Sequence, residues 1–400
     1  MRVVQYRLND AVRSAAAVIP GAALGWLAWS PAGSIWALLA VPLLWASMPT
    51  RSAAFWALLG YYLAGARDVP VMVARFFPES GWAFSATIWC LHAAILAAAW
   101  SLAWPQHESP AKAVLWRFLG LTAALVVPPL GSLAWLSPHL IAGRLYPGWG
   151  FLGAGLVALL MATLVIASRM RTRTVFASLA GLGMLGVIAN LAYQDPMPPA
   201  GWIAVDTKLG IFPKDRTAAF ERQQTLIAAV RGKLNAGATV VVLPEEVAGE
   251  WRPAVQYWWN DVDELAKRCG ATVLVGADVV EGSHYRDALV LLGESAGKRV
   301  SSRQPIPVGL WRPWSGEGAM AEWNQPGVVQ IGGHVVAVSI CYEDLLLWPL
   351  LVSMWHHPTV LISTANSWFS DGLDVPYIQF TSVALTARLF GVPLVRAQNL

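Results

Sequence analysis

Two segments of this 400-residue chain join an apolar β-type run to a residue able to do chemistry. Val240-Val241-Val242-Leu243-Pro244 leads into Glu245-Glu246, and Val338-Ser339-Ile340 leads into Cys341-Tyr342-Glu343-Asp344. Residues that end strands of an open α/β sheet face a common crevice, so a carboxylate and a thiol placed this way can meet. A carboxylate within hydrogen-bond reach of a thiol can take its proton, and the thiolate is the better nucleophile. Attack on an amide, ester or thioester carbonyl would give a covalent acyl-enzyme, helped by donors aimed at the developing oxyanion. Each segment also has a plainer reading. A cysteine after a strand is often a small buried hydrophobe, and an acidic pair there often caps a helix or sits in a turn.

The elements that would position these groups follow from local pattern. Strands are predicted at 202–206, 239–243, 272–276, 287–292, 335–340 and 359–363. Helices are predicted at 218–235, 253–269, 345–355 and 376–390. Strand and helix alternate, which predicts an α/β domain with a sheet core and helices outside.

The first half is different. Hydrophobic residues make up 56% of the chain and charged residues 13%, against roughly 25% charged in ordinary soluble domains. The charge is concentrated after a composition break near 194–201. Seven apolar runs, 14–31, 34–48, 52–66, 81–104, 118–136, 147–168 and 174–194, approach the length of about 20 residues that spans a bilayer. The expected organisation is a multi-pass transmembrane helical domain at 1–194 and a second domain at 195–400. Arg2, Arg7, Arg13, Arg51, Lys112, Arg169, Arg171 and Arg173 fall in loops on one side, and Arg67, Arg75 and Arg144 on the other. That bias predicts a cytoplasmic N-terminus and a periplasmic second domain. Trp26, Trp29, Trp100, Trp104, Trp135 and Trp149 lie near the ends of apolar runs and read as interfacial anchors. Pro128-Pro129 reads as a kink, and His92 as an interhelical hydrogen bonder.

The net charge of +4 sits in short loops between apolar runs, which argues against direct nucleic-acid binding. Cys90, Cys269 and Cys341 have no metal-type spacing and imply no disulfide framework. His356-His357 read as a solvated loop, so no metal or other cofactor is expected. Cys269 reads as helix-end packing. Trp311, Trp314 and Trp323 form either a lid or membrane-surface segment or a part of the core.

Taken together and in order, the motifs resemble the nitrilase superfamily of carbon–nitrogen hydrolases, in particular its membrane branch, apolipoprotein N-acyltransferase. The motifs are Pro244-Glu245, Ile340-Cys341-Tyr342-Glu343, Asn366-Ser367-Trp368-Phe369 and Arg396-Ala397-Gln398-Asn399. The resemblance implies an αββα sandwich behind a membrane-helix domain. It implies Glu245 as general base, Cys341 as nucleophile, the Tyr342 N–H as oxyanion donor and Glu343 as a supporting carboxylate. It also implies a membrane lipid as acyl donor and an amine or protein as acceptor.

Two departures bear on activity. The family's triad lysine falls on Ser302 and a later glutamate falls on Leu310. A neutral serine cannot steady a tetrahedral oxyanion as a cation does, and loss of such a donor costs about 3 kcal/mol. Arg303 is adjacent and Lys298 lies four residues earlier. Either could turn toward the thiol, although guanidinium and ammonium are not interchangeable. The Arg303-Gln304-Pro305-Ile306-Pro307-Val308 run is similar to one in TraB-type conjugal transfer proteins, which share this layout. That likeness implies work with the conjugation machinery in plasmid transfer. The alternatives left open are an acyltransferase working through Glu245, Cys341 and Arg303, and a catalytically inactive hydrolase-fold module serving binding or assembly in the envelope.

Overall fold

The computed structural model describes residues 14–106, 109–170 and 172–400. The chain forms two compact units, Met1–Gln194 with Arg388–Gly391, and Asp195–Ala387 with Val392–Leu400. The expectations resting on Arg2, Arg7, Arg13 and Arg171 lie outside the described residues.

In the first unit the helices are α1 (Val18–Trp29), α2 (Ala40–Ser47), α3 (Arg51–Gly65), α4 (Val69–Phe76), α5 (Gly81–Ala103), α6 (Ala111–Val126), α7 (Ala142–Leu145), α8 (Gly150–Ala167) and α9 (Arg173–Ala192). Among the described residues, α5, α8 and α9 are long and apolar enough to cross a membrane. The other apolar runs form shorter helices. The 118–136 run is not one helix, because α6 stops at Val126 ahead of Pro128-Pro129 and short 3-10 turns follow. Proline lacks the N–H that would continue the ladder, and it disfavours helix at the residue before it. The 34–48 run is split into a 3-10 turn (Ile35–Leu39) and α2.

Helices α1 and α3 touch through small residues: a Cβ on Gly21 would lie 1.8 Å from the Ala57 carbonyl oxygen. Such close approach of backbones is how apolar helices associate when side-chain burial gives little preference. Trp29, Trp100, Trp104 and Trp135 are buried within the unit, whereas Trp26 is half-exposed. The Trp29 indole donates to Tyr61 Oη at 2.9 Å and the Trp100 indole to Tyr62 Oη at 2.9 Å. These rings therefore serve as helix–helix contacts with satisfied N–H groups. His92 Nε2 bonds the Leu133 carbonyl at 3.0 Å.

The second unit is built on two sheets. Strands β1 (Trp202–Ala204), β2 (Val240–Val242), β3 (Thr272–Glu281), β4 (His284–Gly293) and β5 (Arg299–Ser301) form one sheet in sequence order, with β6 (Gly318–Ala319) beside β4. The other has the order β10-β9-β8-β7, from β7 (Val328–Ile331), β8 (His334–Ile340), β9 (Val360–Asn366) and β10 (Leu394–Asn399). Its helices are α10 (Arg216–Asn235), α11 (Pro253–Arg268), α12 (Leu347–Met354) and α13 (Val375–Phe390).

Alternation along the strands explains the layering. Val240, Val242, Leu274, Leu289 and Leu291 point between the sheets and meet Val336, Val338, Ile340, Val360 and Ile362. The opposite parity, Val241, Val273 and Val275, packs on Leu226, Val230, Trp259 and Val262 of α10 and α11. Helix α12 covers β8. Strands β1 to β3 are parallel, as are β8 to β10, so β2 and β8 both deliver their C-terminal ends to functional loops. The short strands β5, β6 and β7 and the C-terminal β10 escaped the sequence reading. They are two to six residues long, and β10 carries polar residues at half its positions.

Candidate active site

Glu245 follows β2 and is 1% exposed. Its approach depends on Gly276 of β3, where a Cβ would lie 2.0 Å from the Pro244 carbonyl oxygen and 2.6 Å from Glu245 Cα. Only a residue without a side chain lets the two strands close here. The Glu245 carboxyl accepts the Asn366 backbone N–H at 2.6 Å. Asn366 ends β9 and donates its amide to Glu246 at 3.2 Å. Behind it, buried Asn399 of β10 donates to Asn366 Oδ1 at 2.8 Å and accepts from Thr207 Oγ1 and the Leu209 N–H at 2.7 and 2.8 Å. The polar ends of the two C-terminal motifs thus brace Glu245 from behind.

Cys341 follows β8 with φ at +50°. A non-glycine residue there costs about 1–3 kcal/mol, and such turns present a side chain at a strand end. Gln379 of α13 donates to the Cys341 carbonyl at 2.8 Å and helps hold the turn. Cys341 as a residue is partly buried, and its side chain lies beside the Glu245 carboxyl. Tyr342 is buried immediately after it.

Asp287 of β4 was not singled out from the sequence. It is 2% exposed and its carboxyl lies against that of Glu245. Asp278 is its register partner on β3. Burial, with the neighbouring carboxyl of Glu246, pushes Glu245 up to about 8. Burial and the other acids push Asp287 and Asp278 up as well, and burial pushes Glu246 up. Burial and then the Glu245 and Asp287 carboxyls push the Cys341 thiol up. Burial therefore favours the protonated forms of both the thiol and its neighbouring acid. The only hint of Asp287 in the sequence was a charged residue opening an otherwise apolar strand.

The expectation that Arg303 turns toward the thiol is not met. Its guanidinium is fully buried against Glu343, with Nη2 2.7 Å from Oε2. Further donations go to the Pro349 carbonyl at 2.6 Å, Ser353 Oγ at 2.7 Å and the Val338 carbonyl at 3.0 Å. A guanidinium so fully engaged has no donor to spare for the thiol, and moving it would strand a buried carboxylate. Glu343 also accepts the backbone N–H groups of Arg303 and Gln304. It ties the segment after β5 to the turn after β8. Lys298 donates to the Gln330 carbonyl at 3.2 Å on an exposed edge. Ser302 is buried, and its N–H bonds the Asp287 carbonyl at 2.7 Å.

Trp323 donates to Gln304 Oε1 at 3.0 Å and its ring lies 5.6 Å from that of Trp311, while Trp314 is exposed. Cys269 is exposed rather than packed, because it caps α11 just before the chain turns at Gly270.

No family model matches the chain. It is 32% identical to the conjugal transfer protein TraB of Agrobacterium fabrum, over 98% of this chain and 94% of that protein. It belongs to the TraB family of conjugal transfer proteins. The probable TraB of Sinorhizobium fredii is 31% identical, over 90% of this chain and 91% of that protein. Similarity extends into the carbon–nitrogen hydrolase superfamily: the apolipoprotein N-acyltransferase of Methylococcus capsulatus is 25% identical over 63% of this chain and 53% of that protein. Among solved structures, a mutant of the Nesterenkonia AN1 amidase from the nitrilase superfamily covers 50% of this chain and 74% of its own. Its TM-score is 0.38 at 15% identity.

Proposed function

We propose that this TraB-family chain is a membrane-bound component of plasmid conjugal transfer that moves an acyl group through Cys341. In this reading the first unit is a multi-pass anchor and the second unit is periplasmic. The three long apolar helices support the anchor. The Arg169, Arg171 and Arg173 cluster before the last of them supports the orientation. The observation that carries the chemistry is the placement of the Glu245 carboxyl beside the Cys341 thiol, at the ends of β2 and β8.

Glu245, once ionised, takes the thiol proton. The sulfur attacks an ester carbonyl of a membrane lipid, and the backbone N–H of Tyr342 donates to the oxyanion. Collapse breaks the ester C–O bond, and Glu245 returns its proton to the departing alkoxide, leaving a thioester on Cys341. An amine then attacks the thioester and loses a proton to Glu245. The C–S bond breaks, the amide leaves and the thiolate is reprotonated.

A second reading has its own support. Ser302 stands where the related enzymes carry a cation, and Arg303 is committed to Glu343. A binding or assembly module of hydrolase fold is the reading these two facts favour. Conjugation frequency separates the two. Cys341→Ala, expressed and folded at wild-type level, abolishes transfer if the thiol does chemistry and leaves it intact if the unit only binds.

A further inference from the structure

Three neighbouring strands present polar groups side by side on the face between the sheets. On β4, Asp287 shares the inward parity of Leu289 and Leu291, and on β3 Asp278 shares that of Leu274. One residue past β5, Ser302 shares the parity of Val300 and bonds through its N–H to Asp287. Asp287 and Ser302 are therefore direct cross-strand neighbours on the face that carries Glu245 and the thiol. Such neighbours place their Cβ atoms about 5 Å apart, a spacing one small donor can bridge.

The hydroxyl of Ser302 is buried without a hydrogen-bond partner among the described residues, and the buried Asp287 carboxyl has the Glu245 carboxyl as its neighbour. A proton shared between Glu245 and Asp287 relieves the clash of two carboxyls but leaves Ser302 unmet. The two carboxyl oxygens of Asp287 and the Ser302 hydroxyl offer as many acceptors as an ammonium group has donors. Neither Arg303 nor Lys298 supplies that cation. A positive guest beside these carboxyls favours their ionised form and is in turn held by it, more strongly than in water because the site is buried. Cys341, beside this pair, is a partly buried residue.

We propose that this pocket seats a primary ammonium group carried by a ligand, held by Asp287 and Ser302, and that its charge activates Cys341. The chain thus takes from its ligand the cation its own sequence lacks, and the thiol becomes reactive only when an alkylammonium is present. This deepens the reading of Cys341 as a nucleophile, but it is tested without any acyl donor. Cys341 is alkylated with iodoacetamide in the full-length protein in detergent, with exposed Cys269 as internal reference.

Ethylammonium raises the Cys341 rate about tenfold, the effect of lowering a thiol pKa by one unit. Tetramethylammonium at equal ionic strength, having no N–H donor, does not. Ser302→Ala weakens the increment, Asp287→Asn removes it, and Ser302→Lys raises the rate without added amine. Equal acceleration by both cations, or none by ethylammonium in the wild type, overturns the proposal. An ammonium effect without acyl adducts on Cys341 would instead remove the acyl-transfer reading and keep the ammonium seat.

Discussion

Arg303 and Glu343 form an ion pair that is almost wholly removed from water, with side chains 0% and 1% exposed. This pair joins the segment after β5 to the turn that carries Cys341. Removing one partner leaves an uncompensated charge, so Arg303→Met destabilises the second unit by about 3–5 kcal/mol. The double variant Arg303→Met/Glu343→Leu loses less than either single one. Chemical denaturation followed by tryptophan fluorescence measures this, and simple additivity would show that the two side chains do not act as a pair.

Glu245 titrates well above its ordinary range, near 8, through burial and then the charge of Glu246. A carboxyl raised in the folded state stabilises the fold fully below its unfolded value of about 4.3. That contribution is lost as pH rises through the folded value near 8. Melting temperature therefore falls between about pH 4.5 and 8, and Glu245→Gln flattens part of that fall. Reactivity runs the other way. Alkylation of Cys341 climbs through pH about 8 as Glu245 becomes able to take the proton. Glu246→Gln moves that climb to lower pH.

Gly276→Ala places a methyl group against the Pro244 carbonyl and Glu245 Cα, within 2.6 Å of the latter. The backbone at Glu245 must move. A displacement near 1 Å costs about 100-fold in a positioned reaction. Rates of acyl-adduct formation on Cys341 are the measure, and a wild-type rate in this variant would mean the close strand approach does not matter.

Asn399 makes four hydrogen bonds behind Asn366. Asn399→Leu leaves buried partners unsatisfied and destabilises by about 1–3 kcal/mol. It also loosens the Asn366 N–H that holds Glu245, so the pH climb of Cys341 alkylation moves upward as that bond weakens.

Cys269 is an exposed natural probe of orientation. With Cys90 replaced by alanine, a membrane-impermeant maleimide labels Cys269 in spheroplasts if the second unit is periplasmic. Labelling only in inverted vesicles would reverse the orientation.

The Glu245 and Cys341 meeting was legible because both residues end short, strongly apolar strands, and strand ends gather at one edge. Asp287 was not, since its place beside Glu245 depends on the β3–β4 register, a pairing across sheet neighbours with no local signature. The fate of Arg303 was hidden for a similar reason: Glu343 lies 40 residues away. In the first half, hydropathy located apolar runs. It could not see that the 34–48 run splits into a 3-10 turn and a helix, or that Trp29 and Trp100 pair with tyrosines inside the unit.

The central claim is tested most directly by intact-mass and peptide analysis of the purified full-length protein after incubation with phospholipid at pH about 8, the titration range of Glu245. The acyl-transfer account requires a hydroxylamine-sensitive acyl adduct on Cys341, absent from Cys341→Ala and strongly reduced in Glu245→Gln. Unmodified Cys341, under conditions where an authentic N-acyltransferase acquires its adduct, would contradict it.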